Sequence, residues 1–230
     1  MDGSTLPCND AASTGLKGRV QRARSDLELA SVSAIWKEVY SEELGWLDRD
    51  NTDPRNDRYH TNSVYLLATD DSGAPVGVMR MIVDGDQGLP IDKFADISAL
   101  RENAQGTLIE CARLMVPARY RDQVFAAYPY GIFAALVKAA LQYCLKEKNY
   151  NVLANCFLDT QNTPIKALTH LGFKDLNIHF SDELHETSLC TLLHLDIKDM
   201  LSLFYGPEKS IGHYIMARAQ FDSSTQGLHA

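Results

Sequence analysis

The chain predicts a mixed α/β fold, a central mixed sheet with helices on both faces, and three observations lead there. Apolar runs of strand length recur between segments whose apolar residues fall at helical spacing. Two consecutive runs are joined by a turn, which places a hairpin in the sheet. The resulting order, strand, helix, loop, strand, strand, short helix, strand, helix, strand, helix, strand, shows neither an internal repeat nor a linker, as one layered domain requires.

Residues 1–18 are rich in Ser, Thr, Gly, Asn and Asp without periodicity and are expected to form a flexible arm, leaving 19–230 as a single domain with a helical C-terminal extension. A first strand is predicted over 20–24. Ser25-Asp-Leu-Glu28 is a capping box, in which Ser25 serves the amide three residues on and Glu28 reaches back. Leu29, Val32, Ile35, Trp36 and Val39 continue that helix at helical spacing, and Gly45 is its expected stop. Residues 47–62 are polar and turn-rich, a long loop of the kind that covers sites. The hairpin takes 63–69 and 76–83, a short helical or irregular excursion surrounds Phe94, and a strand over 107–116 ends at Pro117, which removes a ladder donor. Ile132, Phe133, Leu136, Val137, Ala140, Leu141 and Leu145 mark a helix over 130–148. A strand over 151–157, a helix over 163–171 stopped by Gly172, a strand over 189–196 and a closing helix within 197–219 complete the fold.

The 230 residues are 45% hydrophobic and 23% charged, enough apolar material for a compact core. A formal net charge of −8 argues against nucleic-acid binding over the whole surface. Cys8, Cys111, Cys144, Cys156 and Cys190 show no C-x-x-C spacing, which fits reduced cytoplasmic thiols and predicts no metal site. No apolar run is long enough to cross a bilayer, and no export signal opens the chain, so no stable membrane insertion is expected.

The informative strand is 107–116. Glu110 and Arg113 stand in an otherwise apolar run of Leu108, Ile109, Leu114, Met115 and Val116, and buried charges need partners or a task. Three residues apart on a regular strand they point to opposite faces, one toward a site and the other toward the scaffold. Burial would raise the basicity of Glu110 while Arg113 would lower it, and the sequence leaves the direction open. The plain alternative is a pair of structural ion pairs with Arg80 and Asp57 as partners. Trp36 and Tyr40 at helix positions read as core, Asp57 as a turn cap, His60 as a solvated loop histidine, Cys111 as an inert hydrophobe, and His170 and His194 as packing residues.

With Leu171-Gly-Phe173 after a short helix, the order resembles the GNAT acyltransferase fold, in which an acyl thioester lies in a splay between two central strands. From 20 to about 173 the chain more closely resembles the autoinducer-synthase and long-chain N-acyl amino acid synthase branch, which moves fatty acyl groups from acyl carrier protein to an amine. That branch places an Arg, an aromatic and a second aromatic on and after the first helix; here the positions hold Trp36, Tyr40 and Trp46. Its next Asp falls on Asp57, while the Asp that homoserine-lactone synthases add three residues later is His60. Arg80 and Phe94 match the following positions, and the Glu-x-x-Arg signature falls on Glu110 and Arg113. The glycine-rich pyrophosphate loop of the acetyl-CoA enzymes is missing after Pro117, and Arg119 and Arg121 stand there instead.

The resemblance implies an N-acyltransferase that moves a medium or long acyl chain from acyl carrier protein, or from coenzyme A, to the amino group of an amino acid or related small amine. It implies no tightly bound cofactor, an acyl-phosphopantetheine thioester as co-substrate, and direct attack without a covalent enzyme intermediate. Glu110 and Arg113 would be catalytic, and Tyr40, Trp46, Asp57, His60, Arg80 and Phe94 would bind substrate. A bulge splaying the strand would free amides of Leu114, Met115 and Val116 for the oxyanion. Arg119 and Arg121 would meet the carrier's phosphate, and with Lys138, Lys146 and Lys148 the acidic carrier itself. Lactone synthesis from S-adenosylmethionine is disfavoured by Trp36 and His60, acetyl transfer by the missing loop, and a noncatalytic acyl-binding module by the intact Glu110 and Arg113.

Overall fold

The computed structural model of the chain describes residues 18–48, 52–158, 163–182, 188–203 and 211–217. Residues 1–17 of the expected arm, 49–51 of the long loop, and 204–210 and 218–219 of the expected closing helix lie outside the described residues.

Among the described residues, seven strands form one sheet in the order β1-β2-β3-β4-β5-β7-β6. They are β1 (Val20–Ala23), β2 (Ser63–Thr69), β3 (Pro75–Val83), β4 (Ile109–Met115), β5 (Asn151–Phe157), β6 (Lys174–Ser181) and β7 (Leu189–Asp196). Among the described strands only β4 and β5 pair parallel, because helical chain separates them and must return to the same end of the sheet. The helices are α1 (Asp26–Trp36), α2 (Ser98–Asn103), α3 (Ala118–Arg121), α4 (Gly131–Lys146), α5 (Ile165–His170), α6 (Ile197–Leu203) and α7 (Ile211–Met216). The capping box forms as the sequence predicts, with Ser25 accepting from the Glu28 amide and Glu28 accepting from the Ser25 amide. A π-helical turn, Lys37–Glu43, continues α1, and Gly45 at φ 67 stops it.

Alternation along β2 and β3 sorts the core into two layers. Tyr65, Leu67 and Val78 face α1, whereas Val64, Leu66, Met79 and Met81 face α4. Helix α4 lies tightly on β3 at Gly77, where an added Cβ would sit 2.6 Å from Ile132 Cγ2. The short α3 falls where the sequence reading has a loop, and β6 is the strand that it leaves out. Leu176, Ile178 and Phe180 alternate there at strand period, but the edge position exposes most of the strand and Asn177 at φ 56 breaks the register with β7. His170 is exposed rather than packed, and His194 is half-buried with Nε2 2.9 Å from Asn151 Oδ1.

Two local features shape the centre. Between Val78 and Arg80 on β3 the facing strand spans Ala112 to Met115, an extra residue, and Arg113 takes the left-handed conformation at φ 55. That is a β-bulge carrying a non-glycine residue in a costly conformation. The parallel pairing of β4 with β5 runs only from Ile109 and Val152 to Cys111 and Ala154. Beyond those residues the two strands part, and a gap opens through the sheet.

Candidate active site

A cavity of about 980 Å³ occupies this gap and reaches both faces of the sheet. On the α4 face it is apolar, walled by Phe133, Val137, Ala140, Leu141 and Cys144 of α4 and by Leu168 of α5. On the α1 face it is polar and aromatic, with Tyr40, Trp46, Asp57, Arg80, Glu110 and Arg113 on its walls. The sheet dictates this division. Odd and even positions of β3, β4 and β5 face opposite layers, so charged residues gather on one side of the gap and aliphatic residues on the other.

Glu110 is fully buried on the polar wall of the cavity. Its Oε2 accepts the Ile91 amide at 3.0 Å and its Oε1 accepts Asn155 Nδ2 at 2.8 Å. Burial pushes its carboxyl up to about 7, against the pull of the Ile91 amide, the Arg113 charge and Asn155, which favour the ionised form. Desolvation therefore wins the contest that sequence leaves open, and the group can exchange a proton near neutral pH. The Ile91 amide is itself held by an ion network. Arg101 binds Asp84 at 2.6 Å and Asp92 at 2.6 Å, and Asp92 accepts the Leu89 amide at 2.7 Å, closing the Pro90–Lys93 turn.

Arg113 does not point away from Glu110. The bulge adds one residue to the strand and turns Arg113 into the same cavity, correcting the expectation for a regular strand. Its guanidinium lies 5.8 Å from the Tyr40 ring centre and 3.9 Å from Asp182. The proposed exchange of partners with Arg80 and Asp57 does not occur: those two pair with each other at 2.7 Å. Arg80 also donates Nε to Ser63 Oγ at 2.8 Å. Although burial alone would raise Asp57, the Arg80 contact and the Tyr59 amide outweigh it and hold the carboxyl below its usual range. Tyr40 stacks on Trp46 with centres 6.1 Å apart, Trp46 meets the edge of Phe157 at 5.0 Å, and Phe94 stacks on Phe180 at 4.8 Å.

Leu114, Met115 and Val116 line the cavity past the end of the parallel pairing. Trp36 is buried behind Arg80 with its ring centre 5.8 Å from the guanidinium. His60 stands off the cavity, its Nδ1 3.2 Å from the Tyr65 hydroxyl. Arg119 pairs with Glu38, and Arg121 pairs with Glu43 at 2.6 Å and donates to the Val116 carbonyl at 2.9 Å, tying the loop after β4 to the helical turn after α1. Of the two, Arg121 reaches the cavity. The Cys111 thiol lines the cavity, but burial and the neighbouring Glu110 push it up to about 12, which keeps it protonated at neutral pH. Among the described residues no group of three or more His, Cys, Asp or Glu side chains could hold a metal ion.

The sequence reading overlooks Asn155, Asp182 and the Ile91 amide. Asn155 carries the same signal as Glu110, a polar side chain inside an apolar strand, and could have been found by it. Asp182 and Ile91 carry none, because their places come from the edge strand β6 and from a loop folded over the sheet.

A sequence-family model described as N-acyl amino acid synthase FeeM matches residues 31–157. No curated protein sequence matches the chain. Among solved structures, FeeM itself, an N-acyl amino acid synthase from uncultured soil microbes, aligns over 81% of this chain and 94% of its own with a TM-score of 0.63 and 15% identity. BjaI, a CoA-dependent acyl-homoserine lactone synthase solved with S-adenosylmethionine and isopentyl-CoA, aligns over 87% of this chain and 98% of its own, with a TM-score of 0.57 and 18% identity. A protein from Lactobacillus plantarum assigned as an N-acetyltransferase covers 79% of this chain and 99% of its own, with a TM-score of 0.56 and 13% identity. The sheet is thus that of the GNAT acyltransferases.

Proposed function

The chain belongs to the FeeM family of N-acyl amino acid synthases and is an acyltransferase, and on that premise we propose that it moves a medium or long fatty acyl group from acyl carrier protein to the amino group of an amino acid or related small amine. The observation that carries this reading is the buried Glu110, which burial raises to about 7, on the polar wall of a cavity whose wall under α4 is apolar. An acyl chain lies in the apolar lobe under α4, where each buried methylene contributes about 0.8 kcal/mol. The acceptor enters from the α1 side, past Trp46 and Tyr40, under the loop that presents Asp57.

The chemistry follows from that placement. The acceptor arrives as an ammonium, and Glu110 in its ionised form takes one proton. The freed amine attacks the thioester carbon, the C–N bond forms, and the negative charge that develops on oxygen is met by backbone amides of β4 beyond its pairing with β5. Collapse breaks the C–S bond, the nitrogen gives up its second proton to the departing sulfur, and pantetheine leaves as the thiol while Glu110 keeps the first proton until it is released to solvent. The loop after β4 lacks the glycine spacing that cradles a pyrophosphate, which supports a carrier protein's single phosphodiester as donor, with Arg121 at the cavity mouth. Among the described residues no helix is long and apolar enough to cross a membrane. The unbridged thiols of Cys111, Cys144 and Cys156 support a cytoplasmic site of action.

Expression in a heterologous bacterium followed by lipid mass spectrometry tests the reading, alongside turnover of purified acyl-carrier and acyl-CoA thioesters with an amine panel. New N-acyl amines and thioester consumption are expected. A lipid profile unchanged from the control, with no turnover of either thioester, refutes it.

A further inference from the structure

Asp182 has no part in the acyl transfer as derived above, yet it lines the same cavity as Glu110 and Arg113 and faces the Arg113 guanidinium at 3.9 Å. It stands just past the end of β6, at the edge of the sheet, whereas Arg113 lies in β4 with β5 and β7 between. The contact therefore reaches over β7 and β5 at the open end of the gap. Both side chains are sheltered, 25% exposed for Arg113 and 14% for Asp182, so salt and solvent screen their charges only in part. Burial raises the Tyr40 hydroxyl above its usual range, Arg113 pulls it back and Asp182 pushes it up, which puts the three groups within electrostatic reach of one another.

The charges around Glu110 give this contact its weight. On β3, Arg80 is matched by Asp57 at 2.7 Å, and in the turn after β3, Asp92 is matched by Arg101 at 2.6 Å. The residues of α4 and α5 that line the cavity carry no charge, and β5 and β7 offer the amide of Asn155 and the thiols of Cys156 and Cys190. Arg58, Lys93 and Arg121 also line the cavity, but Arg113 is the cation that most favours ionised Glu110. Its carboxylate partner is the most distant of these three pairs, so the Arg113 charge is cancelled only in part. The backbone of Arg113 is left-handed at φ 55, and a costly conformation of this kind persists only where its surroundings hold it. The Tyr40 ring, 5.8 Å from the guanidinium, and Asp182 are the groups that do so.

We propose that Asp182 is a positioning residue of the acyl-transfer site, holding Arg113 against Tyr40 and limiting how strongly that guanidinium pulls the proton from Glu110. The role in catalysis rests on the acyl-transfer reading, whereas the ion pair acts on Glu110 with or without substrate. With its charge uncancelled, Arg113 would favour the ionised carboxylate further. Glu110 would then ionise at lower pH and be a weaker base toward an incoming ammonium. Loss of the negative charge and release of Arg113 toward Glu110 act in the same direction, so the sign of the effect is fixed.

Two measurements test this. One follows the Glu110 side-chain carboxyl by ¹³C NMR against pH, its signal assigned by loss in Glu110→Gln; the other takes the acid limb of kcat/KM with a dodecanoyl thioester and the best amine of the panel. Asp182→Asn is expected to lower both midpoints by roughly half a pH unit or more, as loss of one sheltered charge at short range requires. Asp182→Glu keeps the charge and is expected to restore most of the shift. Arg113→Gln is expected to raise the carboxyl midpoint, and Asp182→Asn added to it should move that midpoint little. A folded Asp182→Asn with the wild-type midpoint, or a higher one, overturns the proposal. A full downward shift in the Arg113→Gln background overturns it too, since Asp182 would then act on Glu110 directly. Asp182→Ser, smaller and also uncharged, serves if Asp182→Asn does not fold, and Arg113→Gln with an unmoved midpoint overturns the proposal by itself. Absence of transfer to any amine would be a failure of the acyl-transfer reading; the carboxyl titration needs no substrate and decides on the ion pair alone.

Discussion

Asn155 Nδ2 lies 2.8 Å from Glu110 Oε1, joining β5 to β4 at the point where their pairing has ended. Glu110 lies within the paired stretch and Asn155 is the first residue of β5 beyond it, so the contact sits at the edge of the gap that the cavity occupies.

Glu110→Gln removes the proton acceptor and keeps the shape. Turnover is expected to fall by roughly a hundredfold or more, the usual contribution of a positioned base. Affinity for the acyl thioester, measured by calorimetry with a non-transferring analogue, should change little. A folded variant with full turnover excludes Glu110 from the chemistry.

The same residue predicts opposite pH trends for activity and stability. Below the ordinary value of 4.5 the carboxyl holds its proton in both the folded and unfolded chain; between there and about 7 the unfolded chain releases it and the folded one does not. Stability therefore falls as pH rises through this window, by about 3 kcal/mol at 1.36 kcal/mol per unit. Activity should rise over the same range as Glu110 ionises. Urea denaturation and initial rates between about pH 5 and about pH 8 check both, and Glu110→Gln should remove most of the stability slope that this group contributes.

Arg101 acts on Glu110 without touching it, through Asp92 and the turn that presents the Ile91 amide. Arg101→Ala should loosen that turn and weaken a hydrogen bond that favours ionised Glu110. A loss of about 1–2 kcal/mol in that bond moves the acid limb of kcat/KM upward by roughly one pH unit. A lower melting temperature with an unmoved limb would leave Arg101 a purely structural residue.

Ala140 is buried on α4 and faces the apolar lobe. Ala140→Phe should fill the space that a long chain needs and shift preference toward shorter acyl groups. With about 0.8 kcal/mol per methylene, each carbon excluded changes relative kcat/KM roughly fourfold. Competition between eight- and fourteen-carbon thioesters, read by product mass, measures it.

Arg113 holds a left-handed conformation that glycine adopts freely. Arg113→Gly is expected to stay within about 1 kcal/mol of wild-type stability, relief of strain offsetting lost contacts, while activity falls at least about tenfold. Equal loss of stability and activity would make Arg113 part of the scaffold alone.

Much of this molecule is legible before it folds. The capping box at Ser25 and Glu28, the hairpin of β2 and β3 and the long amphipathic α4 are local patterns, and they form where residue spacing places them. Strand β6 escapes notice because its alternation is interrupted at Asn177, and an edge strand needs only one apolar face. For the site, the apolar setting of Glu110 announces a buried charge, and the order of Tyr40, Trp46, Asp57, Arg80 and Phe94 brings into view most of the residues that the fold gathers around it.

By itself the sequence determined most of the elements and the presence of two charges within one strand, because backbone propensity and hydrophobic period are properties of neighbouring residues. Only the tertiary structure decided that Arg113 shares a cavity with Glu110, that Asn155 and the Ile91 amide hold the carboxylate, and that Arg80 keeps Asp57 for itself. A bulge resets the parity of every residue beyond it, and the proton affinity of Glu110 depends on how completely distant segments exclude water. Both are properties of the assembled sheet and its loops.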